Sequence, residues 1–190
     1  MANTAGRFFW ELVKVFLIAA VIIVPVRYFV VQPFFVRGSS MEPNFHNGEY
    51  LVIDELSYRF REPARGEVIV FRFPNDPKQF FIKRIVGLPG DTVTVDDGVV
   101  TIQNAEFPQT VQLDETAYLP EAPRTGGDTS LSLEDKEYFV LGDNRAASSD
   151  SRSWGALPRK SIIGRAWLRA WPVQRAAWFE LDRVGFLSTP

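Results

Sequence analysis

The chain has no cysteine and a single histidine, His46, among its 190 residues. Without thiols there are no disulfides, no iron–sulfur clusters, no structural zinc of the usual kind and no thiol nucleophile. This absence does not fix the redox compartment, since an extracytoplasmic protein can simply lack disulfides. One histidine argues against a His-rich metal site and against a Ser-His-Asp triad, and His46 itself sits in "NFHNGE", a turn composition that reads as surface. Charge of one sign is also scarce: the net charge is −2 and no basic stripe interrupts the sequence, so nothing signals nucleic acid. Beyond residue 40 there is no sustained helical periodicity. What is abundant is apolar material. Hydrophobic residues make up 46% of the chain and aromatics 14%, ample for a core, and the length suits one domain plus an appendage.

The appendage is N-terminal. Between Lys14 and Arg27 runs "VFLIAAVIIVPV", extended by "FFW" before it and "YFVVQPFFV" after it. Twelve residues are too few to span a bilayer core, which takes about 20. Read from Phe8 to Val31, however, a helix reaches roughly 36 Å, with Lys14 and Arg27 able to extend their charges toward headgroups. Trp10, Tyr28 and Phe29 fall where interfacial aromatics belong. The expected division is a tail over 1–7, a membrane anchor over 8–31 and a β-rich domain over 32–190. A cleaved signal peptide fits less well because no small-x-small site follows the apolar run, and Pro25 argues against a buried core helix. Arg7 and Lys14 on one side balance Arg27 and Arg37 on the other, so charge does not orient the anchor.

Six stretches rich in β-branched and aromatic residues follow: "EYLVID" (49–54), "GEVIVFRF" (66–73), "QFFIKRIV" (79–86), "DTVTVDDGVVTIQN" (91–104), "EYFVLGD" (137–143) and "IIGRAWLRAW" (162–171). Turn signals such as "FPNDP", "GLPGD" and "DDG" separate them, and "VDDGVV" predicts a hairpin. Residues 105–135, punctuated by Pro and Gly, read as an excursion or small subdomain. The fold class expected is mostly β, antiparallel, behind an N-terminal transmembrane helix.

Three places carry candidate chemistry. In "QFFIKRIV" the alternation sets Lys83 on one face with Phe81 and Ile85. That pattern fits an edge-strand lysine that blocks aggregation. The functional alternative is a desolvated lysine, whose neutral amine is a competent base near neutral pH. In "GSSMEPNF", Ser39 and Ser40 suit a turn or helix cap. Met41 packing beneath and Pro43 fixing φ would also hold a serine hydroxyl rigid enough to serve as a nucleophile. The spacing of 43 positions from Ser40 to Lys83 leaves room for two strands that bring them together. In "GDNRAASSDSRSWG" (142–155), Asp143 and Asn144 suggest an Asx turn, and Asp150 an ion pair with Arg145 or Arg152. Ser148 is placed to bond a buried neutral amine.

Taken in order, the anchor, "GSSMEPNF", "RGEVIVFRFP", "FIKRIVGLPGD", "GDNRAASSDSRSWG" and "IIGRAWLRAWPV" resemble the bacterial type I signal peptidases, membrane-anchored Ser/Lys proteases of peptidase family S26. The likeness covers most of the chain. It implies an antiparallel β-sheet catalytic domain of the kind shared with self-cleaving repressor proteases. Carried onto this sequence, it makes Ser40 the nucleophile and its own backbone N–H an oxyanion donor, with Lys83 the general base. Ser148 would orient the lysine amine, Asp150 and Arg152 would brace the site, and Asp143 would support them. Many members add an oxyanion hydroxyl two residues before the nucleophile; this chain has Gly38 there. The second departure is "RAAS", where the box often carries an acidic or amide residue after the arginine. Val36, Gly38, Met41, Phe45, Phe81 and Ile82 match substrate-pocket positions, whose bulky walls favour Ala-x-Ala before the cut.

The resemblance further implies single-pass residence in the bacterial cytoplasmic membrane with the catalytic domain outside. Phe34, Phe35 and either Trp167 or Trp171 would lie near lipid, although plain core packing explains those tryptophans as well. The implied partners are signal peptides of secreted preproteins, membrane lipid and the secretion translocon, with no nucleic acid, metal or cofactor. Two other readings are a soluble self-cleaving repressor protease and a catalytically dead anchored domain that binds exported peptides. The anchor and the "GDNR" box separate the chain from the first. The intact serine and lysine separate it from the second.

Overall fold

The computed structural model describes residues 4–29, 31–119, 125–179 and 185–187. Helix α1 (Thr4–Phe29) leads into strands β1 (Val31–Phe35), β2 (Tyr50–Asp54), β3 (Val68–Phe73), β4 (Asp76–Gly87), β5 (Thr92–Asp96), β6 (Val99–Gln103), β7 (Val111–Asp114), β8 (Thr129–Ser132) and β9 (Glu137–Leu141). A one-turn helix α2 (Ser151–Trp154) and strands β10 (Leu157–Pro158), β11 (Ile162–Trp171), β12 (Ala177–Trp178) and β13 (Gly185–Leu187) complete the described chain. The strands form two antiparallel sheets. The larger runs β1-β2-β11-β3-β4-β9-β10, with β12 on β11; the smaller runs β13-β7-β6-β5-β8.

All six predicted strand regions are strands. The hairpin at "VDDGVV" forms because Asp97 (φ 44°) and Gly98 (φ 85°) both take the left-handed conformation that a two-residue turn requires, pairing Asp96 with Val99. Of the two readings of 105–135, an excursion or a small subdomain, the first does not hold for its strands. Its β7 and β8 are built into the smaller sheet, against β6 and β13 and against β5 respectively. Val31, expected in the anchor, instead opens β1, which pairs with β2 from Val31↔Asp54 to Phe35↔Tyr50.

Helix α1 has 26 residues, and Phe8, Phe9, Trp10, Leu12, Phe16 and Leu17 are all exposed on it. Among the described residues no helix is long and apolar enough to cross a membrane. The side chains of Arg27, Tyr28 and Phe29, expected at a membrane interface, lie outside the described residues.

Three clusters hold the domain together, and two of them flank the larger sheet. Val36, Met41, Phe45, Leu51, Ile53, Val68 and Val70 pack beneath the loop that carries Ser40. Ile69, Phe71, Ile85, Tyr138, Val140 and Leu157 fill a second core, with Phe81 and Trp154 against it. Burying a side chain such as Met41 or Phe45 contributes roughly 1.5–3 kcal/mol, so the Ser40 loop is pinned from below by its own sequence neighbours.

Candidate active site

Ser40 stands in a loop between β1 and β2 whose backbone is tied at several points. Val36 N–H donates to Glu49 O at 2.8 Å, Gly48 N–H returns to Val36 O at 3.0 Å, and Phe45 N–H caps Met41 O at 2.9 Å. Gly38 takes φ +88° with its N–H on Asn47 Oδ1 at 3.0 Å, a turn that L side chains rarely adopt. Across the fold, Asn144 N–H donates to Ser40 O at 3.0 Å and its Nδ2 to Ser39 O at 3.2 Å.

Lys83 approaches from β4. Its Nζ lies 2.7 Å from Ser40 Oγ and 2.8 Å from the carbonyl oxygen of Ile82. The lysine is only 3% exposed, and its Nζ sits 5.5 Å from the Phe81 ring centroid. β4 pairs with β3 on one side and, from Arg84 to Gly87, with β9 on the other. Lys83 is therefore a buried residue where one-sided pairing becomes two-sided, which disposes of the aggregation-guarding role. Burial pulls its pKa down to about 8, although Asp150 and Asp143 nearby push the other way. The amine thus exchanges its proton near neutral pH.

The "GDNR" loop supplies the surroundings, partly in ways the sequence did not suggest. Asp143 makes no Asx turn. Its carboxylate is gripped by Arg84 Nε and Nη2, both at 2.8 Å, and by Asn44 Nδ2 at 2.7 Å. Asp150 pairs with Arg152 and not with Arg145: Nε and Nη2 each lie 2.8 Å from one of its oxygens, and Gly142 N–H adds a third contact at 3.0 Å. Burial works against ionisation of Asp150, but Arg152 and Gly142 N–H outweigh it and hold the carboxyl below the usual range. Arg145 turns instead to Glu115. Ser148 Oγ is buried and close enough to influence Asp150, yet it makes no hydrogen bond of ordinary geometry. Besides Ser40 Oγ, the hydrogen-bond partner of Lys83 Nζ in this structure is the Ile82 carbonyl.

Ser40 and Lys83 open onto a cleft of about 570 Å³. Phe34, Phe35, Val36 and Arg37 form one wall, Gln79 to Lys83 the other, with Leu51 and Val70 at the base and Ser149 at the rim. Of the expected pocket residues, Val36, Phe81 and Ile82 line it. Met41 and Phe45, each 1% exposed, belong to the core underneath, and Gly38 does not line it. Both walls are strands with a free edge: among the described residues β1 pairs only with β2, and β4 has no neighbour opposite β3 before Arg84. His46 stays at the surface, 3.6 Å from Glu42.

Arg84, Asn44 and Glu115 are not singled out from the sequence, and Asn144 is placed there only in an Asx turn with Asp143. Arg84 lies inside the box that carries Lys83. Asn44 and Glu115 carry no local signal, because their partners are 99 and 30 residues away.

A hydroxyl held against a buried amine of lowered basicity, in a cleft between two free strand edges, has the composition of a hydrolytic site that acts on extended chains. Comparison with known proteins is specific. The family model described as signal peptidase, peptidase S26, matches residues 9–171. A probable signal peptidase I-2 from Synechocystis is 42% identical over 171 residues, covering 87% of this chain and 74% of that one. A probable signal peptidase I-1 from the same organism is 35% identical, covering 95% and 91%. Signal peptidase I of Leptolyngbya laminosa is 36% identical, covering 87% and 81%. The chain belongs to the signal peptidase family, peptidase S26, and is a peptidase.

Proposed function

We propose that the protein is a membrane-anchored serine endopeptidase that removes N-terminal signal peptides from exported preproteins after Ala-x-Ala, with Ser40 as nucleophile and Lys83 as general base. The observation that carries this reading is the 2.7 Å separation of Lys83 Nζ and Ser40 Oγ, with the amine buried. Neutral Lys83 takes the Ser40 proton as Oγ adds to the scissile carbonyl. The resulting ammonium gives that proton to the departing amine, leaving an acyl-Ser40 that a water, activated by the same lysine, hydrolyses. The Ser40 backbone N–H, which has no partner among the described hydrogen bonds, is the oxyanion donor, and Gly38 adds no side-chain donor.

An extended peptide would lie between β1 and β4 and pair with their free edges, a mode in which backbone bonds give affinity and alternate side chains enter the walls. Val36, Phe81 and Ile82 leave shallow space there, which suits alanine. Helix α1 acts as the anchor. Its exposed phenylalanines and leucines support lipid as their surroundings, and the exposed Phe35 and Trp171 support seating of the domain on the bilayer surface. The test is a peptide spanning an Ala-x-Ala site, incubated with the detergent-solubilised chain and analysed by mass spectrometry. One cut after the second alanine, lost in Ser40→Ala, is the expected result. A cut that survives in Ser40→Ala overturns the nucleophile assignment.

A further inference from the structure

The contacts of the "GDNR" loop do not end within the larger sheet. Arg145, its side chain 1% exposed, forms a two-point ion pair with Glu115, immediately past β7 of the smaller sheet. Arg145 Nη1 also donates to Thr125 Oγ1 at 2.6 Å, and Nε donates to Gly142 O at 3.0 Å. The Tyr118 hydroxyl donates to Glu115 at 2.5 Å, while its ring lies 3.9 Å from the Arg84 guanidinium carbon. Arg152 adds a parallel tie, with Nη1 on Gly126 O at 2.6 Å and Nη2 on Arg145 O at 2.8 Å. Thr125 is itself fixed to the β5–β6 hairpin through its N–H on Gly98 O at 3.1 Å.

We propose that Glu115 is a positioning residue for the catalytic pair: through Arg145 it holds the Gly142–Asn144 backbone on which the Ser40 loop rests. The proposal depends on the reading of Ser40 and Lys83 given above. A buried guanidinium needs a carboxylate, and Glu115, just past the end of β7, supplies it. The path from Glu115 to the nucleophile is short. Arg145 fixes Gly142 O, and two residues along the same turn Asn144 holds Ser40 O and Ser39 O. The charges facing Lys83 and its neighbours are Asp143, Asp150, Arg84, Arg145 and Arg152, and every one of these arginines is committed to a carboxylate. Without Glu115, the charge of Arg145 falls on Asp143, which then supports the Lys83 ammonium less. Glu115 and Thr125 thus couple the smaller sheet to catalysis, beyond any part they take in folding.

The test compares Glu115→Gln, Glu115→Asp and Thr125→Val in the full-length chain, measuring kcat and KM on the Ala-x-Ala peptide between about pH 6 and 10. Active molecules are counted with a covalent serine-directed probe. Glu115→Gln should lower kcat per active molecule about 10- to 100-fold, with KM changed less than about twofold, since it displaces reacting atoms without touching the cleft. Its acid limb should move to lower pH. Glu115→Asp should restore the limb and most of kcat, and Thr125→Val should show a smaller loss in the same direction. The proposal is overturned if Glu115→Gln keeps wild-type kcat per active molecule and an unmoved limb. Should that variant not fold, wild-type kcat and limb in Thr125→Val overturn it equally. Cleavage by Lys83→Ala would instead remove the Ser40–Lys83 reading, whatever Glu115 does.

Discussion

Arg84 grips both carboxylate oxygens of Asp143 at 2.8 Å, and this buried pair joins β4, one residue beyond Lys83, to the loop that supports Ser40. Arg84 also donates to Gly66 O at 2.8 Å, while Asp143 accepts from Asn44. The fork geometry of a guanidinium matches a carboxylate in a way an ammonium does not. Asp143→Asn leaves the Arg84 charge buried without its carboxylate and should cost about 3–5 kcal/mol of stability, with Arg84→Lys also strongly destabilising. Denaturant unfolding of the solubilised chain checks this. A loss under about 1 kcal/mol in Asp143→Asn would show that the pair does not hold the site together.

The acid limb of kcat/KM should fall near pH 8. Burial sets the Lys83 pKa at about 8 against Asp150 and Asp143, so the amine is neutral above that pH and protonated below it. Activity should therefore drop about tenfold per pH unit on the acid side. Asp150→Asn removes the larger of the two opposing charges and should move the limb to lower pH. A limb that stays at wild-type pH in that variant would mean the rate reports some other group.

Lysine burial also has a stability consequence. The unfolded chain holds the Lys83 proton up to about pH 10.5, whereas the folded chain releases it near 8. Between these values the unfolded state binds more protons, so stability rises with pH across the window, and the full penalty applies below pH 8. Lys83→Met keeps the apolar stem and removes the charge. It should abolish turnover while raising stability at pH 7 by up to about 3 kcal/mol. Lys83→Arg should be equally inactive, because guanidinium does not release its proton near neutral pH. Unfolding curves at pH 7 and 9.5 decide the point: the gain from Lys83→Met must shrink at the higher pH.

How far the site was readable depended on where each residue's partner lies. β-branched runs broken by turn residues mark β2, β3, β4, β9 and β11 of the larger sheet and the β5–β6 hairpin, because pairing there follows local composition, whereas β1, β10 and β12 carry no such run. Ser40, Lys83, Asp150 and Arg152 stood out because each sits in a dense box whose spacing carries the chemistry. β7 and β8 fall within the stretch that reads as an excursion or small subdomain, because four-residue strands such as "VQLD" and "TSLS" have too little pattern to announce themselves. Their identity comes from the partners they pair with. Glu115 and Asn44 are legible only in three dimensions, and a choice such as Arg152 over Arg145 for Asp150 is settled by loop geometry. The hydrophobic character of Met41 and Phe45 was plain, but composition does not tell a cleft wall from the core just beneath it.

Two glycines near Ser40 are required for opposite reasons, and substituting each separates them. A Cβ on Gly142 would meet Ser148 Oγ at 2.2 Å, Ser148 Cβ at 2.5 Å and the Ser40 carbonyl oxygen at 2.5 Å. Gly142 is also fixed by its N–H to Asp150 and its carbonyl to Arg145, so it does not retreat without loosening both. The Ser40 loop must move, and a displacement near 1 Å typically costs about 10²-fold in rate. At Gly38 a Cβ meets nothing within 4 Å, and the only obstacle is φ +88°. Gly38→Ala should therefore lose roughly 1–2 kcal/mol of stability, the cost of a left-handed conformation for an L residue, while most of kcat remains. Gly142→Ala should lose at least about 100-fold in kcat. Steady-state kinetics beside thermal unfolding distinguishes the two, and Gly142→Ala with near-wild-type kcat would show that the Ser40 carbonyl has room the close packing denies it.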